Sequence, residues 1–303
     1  SSQGSRLRIS YVLSEYRAAA AAGAVINLDD ITQIEHMRSA AGIPETVCCR
    51  YNSGEFAITN DIIGDLRDSK FGMTRDQLFE AYRILKEKGV KKFGLHAMLA
   101  SCSLEEDYYP RLARELFSLA VEIRDRLDIE VDFIDMSGGI GIPYRPEEKA
   151  VDICSVGEAV HRVYDEVLMP EGLRPSVRTE LGRYVTGPHG YLVTSVVGKK
   201  QTYKNYIGVD ASACDLMRPA MYGAYHHITV LGKEPVTSDL ISDGQNKAPG
   251  TIIADVVGPL CENNDKFAVD RRLPEVSEGD ILVISDAGAH GHSMGYNYNG
   301  RMR

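Results

Sequence analysis

Residues 131–141 read V-D-F-I-D-M-S-G-G-I-G. The first half is a short run of strand-forming residues, and the second half is rich in glycine. Because glycine has no Cβ, the backbone N–H groups of such a turn can approach a ligand closely. A glycine turn at the C-terminal end of a parallel strand is a common cradle for phosphate, although an ordinary strand-to-helix turn also uses glycine. The stretch therefore predicts a parallel strand that ends in one of these two kinds of turn, at Gly138 and Gly139.

On both sides of this stretch, short apolar strands alternate with amphipathic helices. We predict strands at residues 24–28, 46–51, 92–99, 130–136 and 176–180, and helices at 16–23, 31–41, 74–88, 109–127 and 156–167. The sequence T-R-D-Q at 74–77 is a capping box that opens the third of these helices. Repeated strand–helix units predict a parallel sheet, either doubly wound or closed as a barrel. Polar residues follow several strands, at Asp29, Arg50, His96, Ser101, Ser137 and Glu180. In a barrel, that end of the strands is the catalytic face.

The pattern changes after residue 190. Strands rich in β-branched and aromatic residues are predicted at 191–199, 206–209, 226–231, 251–257 and 280–284, with turn residues and no long helix between them. Residues 237–250 read as a polar loop. We therefore predict two domains, an α/β domain at 1–190 and an all-β domain at 191–303.

Composition and charge exclude several classes of partner. The chain has 303 residues and a net charge of −9, which argues against nucleic acid or an anionic membrane surface as the main partner. No apolar run is long enough to span a bilayer. The six cysteines form no C-x-x-C pair, so neither a zinc site nor a disulfide framework is predicted. We expect a reduced, cytoplasmic protein without a metal.

Six short motifs occur in a fixed order along the chain. They are G-L-H at 94–96 with Ser101, S-G-G-I-G at 137–141, E-L-G-R at 180–183, R-P-A-M-Y at 218–222, C-E-N-N-D at 261–265 and Y-N at 298–299. Together they resemble the fold-type III pyridoxal-phosphate decarboxylases, and among these most closely the diaminopimelate decarboxylases. The resemblance extends to I-N-L-D-D at 26–30, C-R-Y-N at 49–52 and K-F-G-M at 70–73. It implies a (β/α)8 barrel followed by a β domain, pyridoxal 5'-phosphate as cofactor, and decarboxylation of meso-diaminopimelate to L-lysine.

The chemistry of several of these residues suits the cofactor. Arg183 and the glycine turn suit a phosphate dianion, since guanidinium binds phosphate oxygens in a bidentate manner. A carboxylate such as Glu180 would keep the cofactor's ring nitrogen protonated. Taken alone, Glu180 could equally be an acid at a helix N-terminus, and Arg183 a surface charge. The resemblance implies that Glu180 binds the pyridine nitrogen and that Arg183 and Tyr298 bind the phosphate. The full predicted cofactor set is Ser101, Gly138, Gly139, Glu180, Gly182, Arg183 and Tyr298.

The substrate residues are predicted in the C-terminal half of the chain. By resemblance, Arg218 and Tyr222 grip the distal carboxylate of the amino acid, for which a guanidinium and a hydroxyl are suitable donors. A solvated arginine and a core tyrosine are the alternative. A thiol can donate a proton, so Cys261 is the predicted proton donor after decarboxylation, although a lone cysteine is more often an inert core residue. Glu262 is assigned the far ammonium of the substrate. The predicted substrate set is Arg183, Arg218, Tyr222, Glu262 and Tyr298.

The resemblance also implies an assembly. In the family, the loop that matches C-E-x-x-D reaches the active site of the other subunit. We therefore expect a homodimer with shared active sites, in which Cys261 serves the partner.

The sequence departs from the family pattern at several positions. The lysine that holds the cofactor covalently lies in a Y-x-x-K-A pattern upstream of I-N-L-D-D, so we expect it outside residues 1–303. Ser1-Ser2 resemble the end of the third barrel strand, and we expect the chain to be a partial one. The individual replacements are Met98 for a histidine, Ser137 for a glycine, Leu181 for a proline and His290 for a tyrosine.

Three other functions remain open. The first is decarboxylation of another basic amino acid or of a carboxyamine, although Arg218 with Tyr222 argues against a substrate without a distal carboxylate. An alanine racemase relative is disfavoured, because that family places an arginine rather than a glutamate at the ring nitrogen. The third alternative is a non-catalytic homologue that binds a protein partner.

Overall fold

The computed structural model describes residues 5–7, 12–56, 65–236 and 249–303. The chain divides into two units, of which the first comprises Ser1–Gly141 with Val151–Leu181 and the second Ile142–Ala150 with Gly182–Arg303. The main part of the second unit begins at Gly182, whereas the sequence predicted a boundary at residue 190. The second unit also includes the separate segment 142–150. The roles predicted for the two domains stay predictions. Most of the predicted polar loop at 237–250 lies outside the described residues.

Parallel strands form the sheet of the first unit. The described strands are β1 (Ser5–Leu7), β2 (Val25–Leu28), β3 (Thr46–Arg50), β4 (Lys92–His96), β5 (Val131–Asp135) and β6 (Ser176–Arg178). They lie in the order β1-β2-β3-β4-β5-β6, and every neighbouring pair is parallel. A doubly wound sheet requires a reversal of strand order, and none occurs among the described strands. The order is that of a barrel wall, which settles the alternative left open by the sequence.

Helices alternate with these strands. They are α1 (Leu13–Ala21), α2 (Gln33–Ala41), α3 (Arg75–Glu87), α4 (Tyr108–Leu127) and α5 (Ile153–Val167). The capping box is confirmed, because the Thr74 side chain accepts a hydrogen bond from the Gln77 N–H at the start of α3. All four residues of β2 are buried, as expected for a parallel strand covered on both faces. Helix α4 buries one apolar face that includes Leu112, Leu116, Phe117 and Ile123.

A mixed sheet forms the second unit. Its strands are β7 (Leu192–Gln201), β8 (Asn205–Val209), β9 (Ile228–Val230), β10 (Thr251–Val257), β11 (Lys266–Pro274) and β12 (Ile281–Ile284), in the order β11-β10-β8-β7-β12-β9. Strands β8 and β10 are parallel, and the other described pairs are antiparallel. Strand β11 was missed in the sequence because charged residues interrupt its apolar positions. Two helices of five residues each accompany the sheet, α6 (Gly182–Thr186) and α7 (Arg218–Tyr222).

The core of the second unit draws on all six strands of this sheet. It includes Val196, Ile207, Val256, Phe267 and Leu282. Within the described part of the chain, no helix is both long and apolar enough to cross a membrane.

Candidate active site

Polar side chains of the first unit meet at the carboxyl edge of the parallel sheet. His96 ends β4, Asp135 ends β5, and Glu180 follows β6. One polar atom from each of these three side chains lies within 4.8 Å of the others. At the ends of the two preceding strands, the Arg50 guanidinium lies 3.3 Å from the carboxylate of Asp29. The structure therefore brings together most of the strand-end polar residues that the sequence singled out.

Burial controls the charges in this cluster. His96 is 1% exposed, and among the described residues neither of its ring nitrogens has a hydrogen-bond partner. Burial, and then the charge of Arg50, lower the pKa of His96 to about 3, so the imidazole is neutral near neutral pH. Burial, and then the charge of Glu180, raise the pKa of Asp135 to about 6. These three groups are also a donor set that a metal ion could use, and the expectation of no metal stays a prediction.

The glycine turn joins this cluster. A Cβ at Gly138 would lie 2.9 Å from the backbone oxygen of Glu180, and a Cβ at Gly139 would lie 2.7 Å from the Tyr108 ring. Packing alone therefore requires glycine at both positions, whichever of the two kinds of turn this is. A Cβ at Gly182 would meet open space, so packing does not require glycine at that position.

The loop that carries Ser101 runs beside the glycine turn. The Ser103 N–H donates to the Gly139 oxygen at 2.8 Å, and the Gly141 N–H donates to the Ser103 oxygen at 2.7 Å. Ser101 is half-buried in this loop, two residues before Ser103. The structure thus places the loops of three predicted cofactor residues, Ser101, Gly138 and Gly139, side by side.

In the second unit, Tyr144 connects the two predicted arginines. Arg183 is 9% exposed and donates to the Tyr144 hydroxyl at 2.5 Å. The guanidinium of Arg218, which is 4% exposed, lies 4.4 Å from the centre of the Tyr144 ring. A cation over an aromatic face is favourable, and more so when it is buried. Tyr144 therefore holds Arg183 and Arg218 near each other.

A buried histidine orients Arg218. Nη1 of Arg218 lies 2.7 Å from Nε2 of His226, and Nδ1 of His226 lies 2.8 Å from the Ser285 oxygen. A carbonyl can only accept and a guanidinium can only donate, so Nδ1 carries the proton and Nε2 accepts from Arg218. Burial, and then the charges of the nearby arginines, lower the pKa of His226 to about 4 although the hydrogen bond to the Ser285 oxygen raises it, so this acceptor is neutral near neutral pH.

The remaining predicted residues are more exposed. Tyr222 is 45% exposed, and Cys261 and Glu262 are exposed. The hydroxyl of Tyr298 donates to Oε2 of Glu262 at 3.4 Å. The contacts of Arg183 and Arg218 described above are made with Tyr144 and His226 rather than with these residues. The charges of Arg183 and Arg218 do reach His290. Burial, and then these two charges, lower the pKa of His290.

Comparison with known proteins identifies the family. The family described as "pyridoxal-dependent decarboxylase, C-terminal sheet domain" matches residues 11–288. The chain belongs to the pyridoxal-dependent decarboxylase family. Protein TabA of Pseudomonas amygdali pv. tabaci is 36% identical over 291 residues, which are 96% of this chain and 65% of that protein. Diaminopimelate decarboxylase of Methanothermobacter thermautotrophicus is 35% identical over 296 residues, which are 95% of this chain and 65% of that enzyme.

Solved structures agree with this assignment. Diaminopimelate decarboxylase from Helicobacter pylori, complexed with L-lysine, has a TM-score of 0.80 at 26% identity, covering 96% of this chain and 69% of that one. The enzyme from M. jannaschii in co-complex with L-lysine has a TM-score of 0.81 at 27% identity, covering 96% of this chain and 65% of that one. The predicted fold class, barrel strands followed by a β domain, is confirmed. The chain spans just under two thirds of the length of the two curated relatives.

Three residues of the clusters described above, Asp135, Tyr144 and His226, were missed in the sequence. Tyr144 follows the glycine turn in G-I-P-Y, and His226 lies four residues after Tyr222 in Y-H-H. A tyrosine or histidine beside an apolar strand is usually an ordinary core residue. Their proximity to predicted motifs was the available signal, and it was weak.

Proposed function

We propose that the protein binds pyridoxal 5'-phosphate and decarboxylates meso-diaminopimelate to L-lysine. The observation that carries the proposal is the cluster of the buried His96 and Asp135 with the half-buried Glu180 beside the glycine turn. Membership of the pyridoxal-dependent decarboxylase family and the names of several relatives support it.

The residues present fit the cofactor. A buried imidazole that has no hydrogen-bond partner among the described residues, beside two carboxylates, is an incomplete polar site, which a bound group with its own polar atoms would complete. In the proposal, Glu180 holds the proton of the ring nitrogen. The phosphate is assigned to Ser101, Gly138, Gly139, Gly182, Arg183 and Tyr298. When bound, the cofactor supplies the electron sink for cleavage of the carbon–carbon bond.

Arg218 is the proposed determinant of substrate choice. Arg218 is buried and is oriented by the neutral His226, and a guanidinium held in one orientation suits a carboxylate partner. The distal carboxylate of diaminopimelate would provide that partner, with Tyr222 adding a neutral hydrogen bond. Arg183 and Tyr298 complete the proposed substrate contacts, and Glu262 takes the far ammonium.

Cys261 is the proposed proton donor to the carbon that loses carbon dioxide. Its thiol is exposed in the described chain, as it must be to serve the site of a second subunit. We therefore propose a homodimer with shared sites. A related amino acid is the second candidate substrate, because the relative TabA carries a different name at 36% identity.

The test compares Glu180→Gln and Arg218→Ala with the unmodified full-length protein. We expect Glu180→Gln to lower kcat by about 10²-fold or more, because it can no longer hold the ring-nitrogen proton, with a smaller change in cofactor affinity. We expect the unmodified enzyme to prefer meso-diaminopimelate to lysine by about 10³-fold in kcat/KM, and Arg218→Ala to remove most of that preference. Tyr222→Phe should weaken the preference by roughly 1 kcal/mol.

The exposed Glu166→Gln on α5 is the control, and it should match the unmodified protein in each assay. Unchanged turnover in Glu180→Gln would rule out the cofactor assignment. Equal use of lysine and diaminopimelate would rule out the role of Arg218 and favour the second candidate.

A further inference from the structure

The loop that carries Cys261 and Glu262 is exposed at its tip and buried at its base. It comprises residues 258–265, between β10 and β11. Cys261 and Glu262 are exposed, whereas Asp265 at the end of the loop is 2% exposed. Burying a carboxylate is costly unless hydrogen bonds replace the water that it loses. The burial of Asp265 therefore directs attention to the bonds that its side chain makes.

Both oxygens of the Asp265 carboxylate accept hydrogen bonds from backbone N–H groups. Oδ1 accepts from the Ala213 N–H at 2.6 Å, and Oδ2 accepts from the Leu260 N–H at 2.8 Å. Leu260 directly precedes Cys261, whereas the buried Ala213 lies outside the loop, between β8 and α7. One side chain thus ties the residue before Cys261 to a buried part of the second unit.

The base of the loop is built around this carboxylate. The Gly258 N–H donates to the backbone oxygen of Asp265 at 2.9 Å, and the Asp265 N–H donates to the backbone oxygen of Glu262 at 3.0 Å. A Cβ at Gly258 would lie 2.3 Å from Oδ2 of Asp265 and 2.6 Å from Oδ1. Packing therefore leaves no room for a side chain at position 258 while the carboxylate is in place.

The two donors around Asp265 require an aspartate rather than an asparagine. A carboxylate can accept at both oxygens, whereas an amide has one oxygen and an NH2 group that only donates. Asparagine would turn that NH2 group towards one of the two backbone N–H groups, which would then lose its acceptor. The loop would be released either at Ala213 or at Leu260.

We propose that Asp265 is a positioning residue, which holds the loop so that Cys261 and Glu262 are presented to the partner's site in one orientation. The inference rests on the proposed function, in which Cys261 donates its proton in the site of the second subunit. Proton transfer depends steeply on placement, so a released loop would present the thiol correctly only part of the time. Asp265 acts only through the loop.

A dimer with one intact active site tests this role. Cys261→Ala in one full-length chain and Glu180→Gln in another, differently tagged chain leave a single working site, which uses the loop of the Glu180→Gln chain. Asp265→Asn is then added to either chain. In the Glu180→Gln chain it should lower the activity of the purified hybrid by about tenfold or more, because that loop serves the working site. In the Cys261→Ala chain it should have no effect, because that loop serves a site already inactive.

Gly258→Ala displaces the same carboxylate by steric overlap and keeps its charge. It should reproduce the effect of Asp265→Asn in both placements, and it keeps the test usable if Asp265→Asn does not fold. Asp280→Asn is the matched control, because Oδ2 of Asp280 also accepts from a backbone N–H, that of Ser277 at 2.8 Å, in the turn before β12. It should leave the hybrid unchanged in either chain.

Hydrogen–deuterium exchange measures the loop without turnover. In the Asp265→Asn and Gly258→Ala proteins, peptides that cover residues 258–265 should exchange several-fold faster than in the unmodified protein, whereas peptides from β4 and β5 should not change. Unchanged exchange of the loop in both variants would overturn the inference.

The placement of the substitution separates a positioning role from a structural one. Equal losses in both chains, a loss only in the Cys261→Ala chain, or no loss in either would each overturn the inference. If the hybrid without Asp265→Asn is active when one of these results occurs, only the role of Asp265 is wrong. If that hybrid stays inactive after verified subunit exchange, the shared site of the proposed function fails, and the inference fails with it.

Discussion

At the scale of single residues, Arg218 shows how the chain places a positive charge inside a β domain. The guanidinium is 4% exposed, lies over the Tyr144 ring and donates to a neutral His226. Neither of these two contacts carries a negative charge. Together they fix the orientation of the guanidinium. That fixed orientation is the physical basis of the substrate role we propose for it.

The neutrality of His226 has a consequence for stability. Its pKa is lowered from 6.5 to about 4 in the folded protein, so between these values the unfolded chain binds the proton that the native state does not. This contribution is complete above pH 6.5 and is lost as pH falls through 4. We expect the free energy of unfolding to lose on the order of 3 kcal/mol from His226 over that window.

Urea unfolding at a series of pH values measures this loss. His226→Gln, which does not titrate, should flatten the dependence between pH 6.5 and 4. His161→Gln on the exposed surface of α5 is the matched control and should leave it unchanged. Parallel curves for the unmodified protein and His226→Gln would contradict the prediction.

At the scale of elements, the pairing of β4 with β5 depends on a residue without a side chain. Gly94 pairs with Phe133, and a Cβ at position 94 would lie 2.1 Å from a carbon of that ring. The ring has little freedom to move, because the guanidinium of Arg178 lies 3.9 Å from its centre. The glycine therefore allows the aromatic ring to fill the space between the two strands.

Gly94→Ala should therefore destabilise the protein by roughly 1–3 kcal/mol through overpacking. Gly157→Ala, in α5 with no atom within 4 Å of the new Cβ, is the matched control. That substitution should stabilise the protein by about 0.5–1 kcal/mol, because alanine loses less backbone entropy in a helix. Thermal unfolding of both variants measures the difference, and equal stabilities would refute the packing argument.

At the scale of the whole molecule, the proposed homodimer distributes one active site over two chains. If Cys261 serves the partner's site, a dimer of Cys261→Ala with Glu180→Gln contains one intact site and one doubly damaged site. With random exchange about half of the dimers are hybrids, so a mixture should recover about a quarter of the unmodified activity.

Each variant alone, and the mixture before exchange, should be nearly inactive. Recovery is measured after subunit exchange has been verified with differently tagged chains. The absence of recovery would mean that Glu180 and Cys261 act within one chain.

Local sequence signals determined much of this fold. The helix caps, the 3.6-residue periodicity and the apolar runs are properties of neighbouring residues, so they can be read without a structure. The capping box at Thr74, the strand at 130–136 and the glycine turn after it were all predicted in this way. Strand β11 was missed because Lys266, Asp270, Arg271 and Arg272 obscure its apolar positions.

Only the tertiary structure decided which side chains meet. The Ser137 hydroxyl reaches Glu180 across 43 residues, and Arg183 reaches Tyr144 across 39. Such contacts depend on how strands pair and helices pack, and no local pattern encodes that pairing. The sequence by itself therefore determined five of the six described parallel strands, the change to a β domain and the order of the motifs, whereas the order of the strands in the sheet was decided by the structure. Packing decided that Ser137 contacts both Asp135 and Glu180, and that a neutral His226 accepts from Arg218. Burial and distance, on which these contacts depend, exist only in the folded chain.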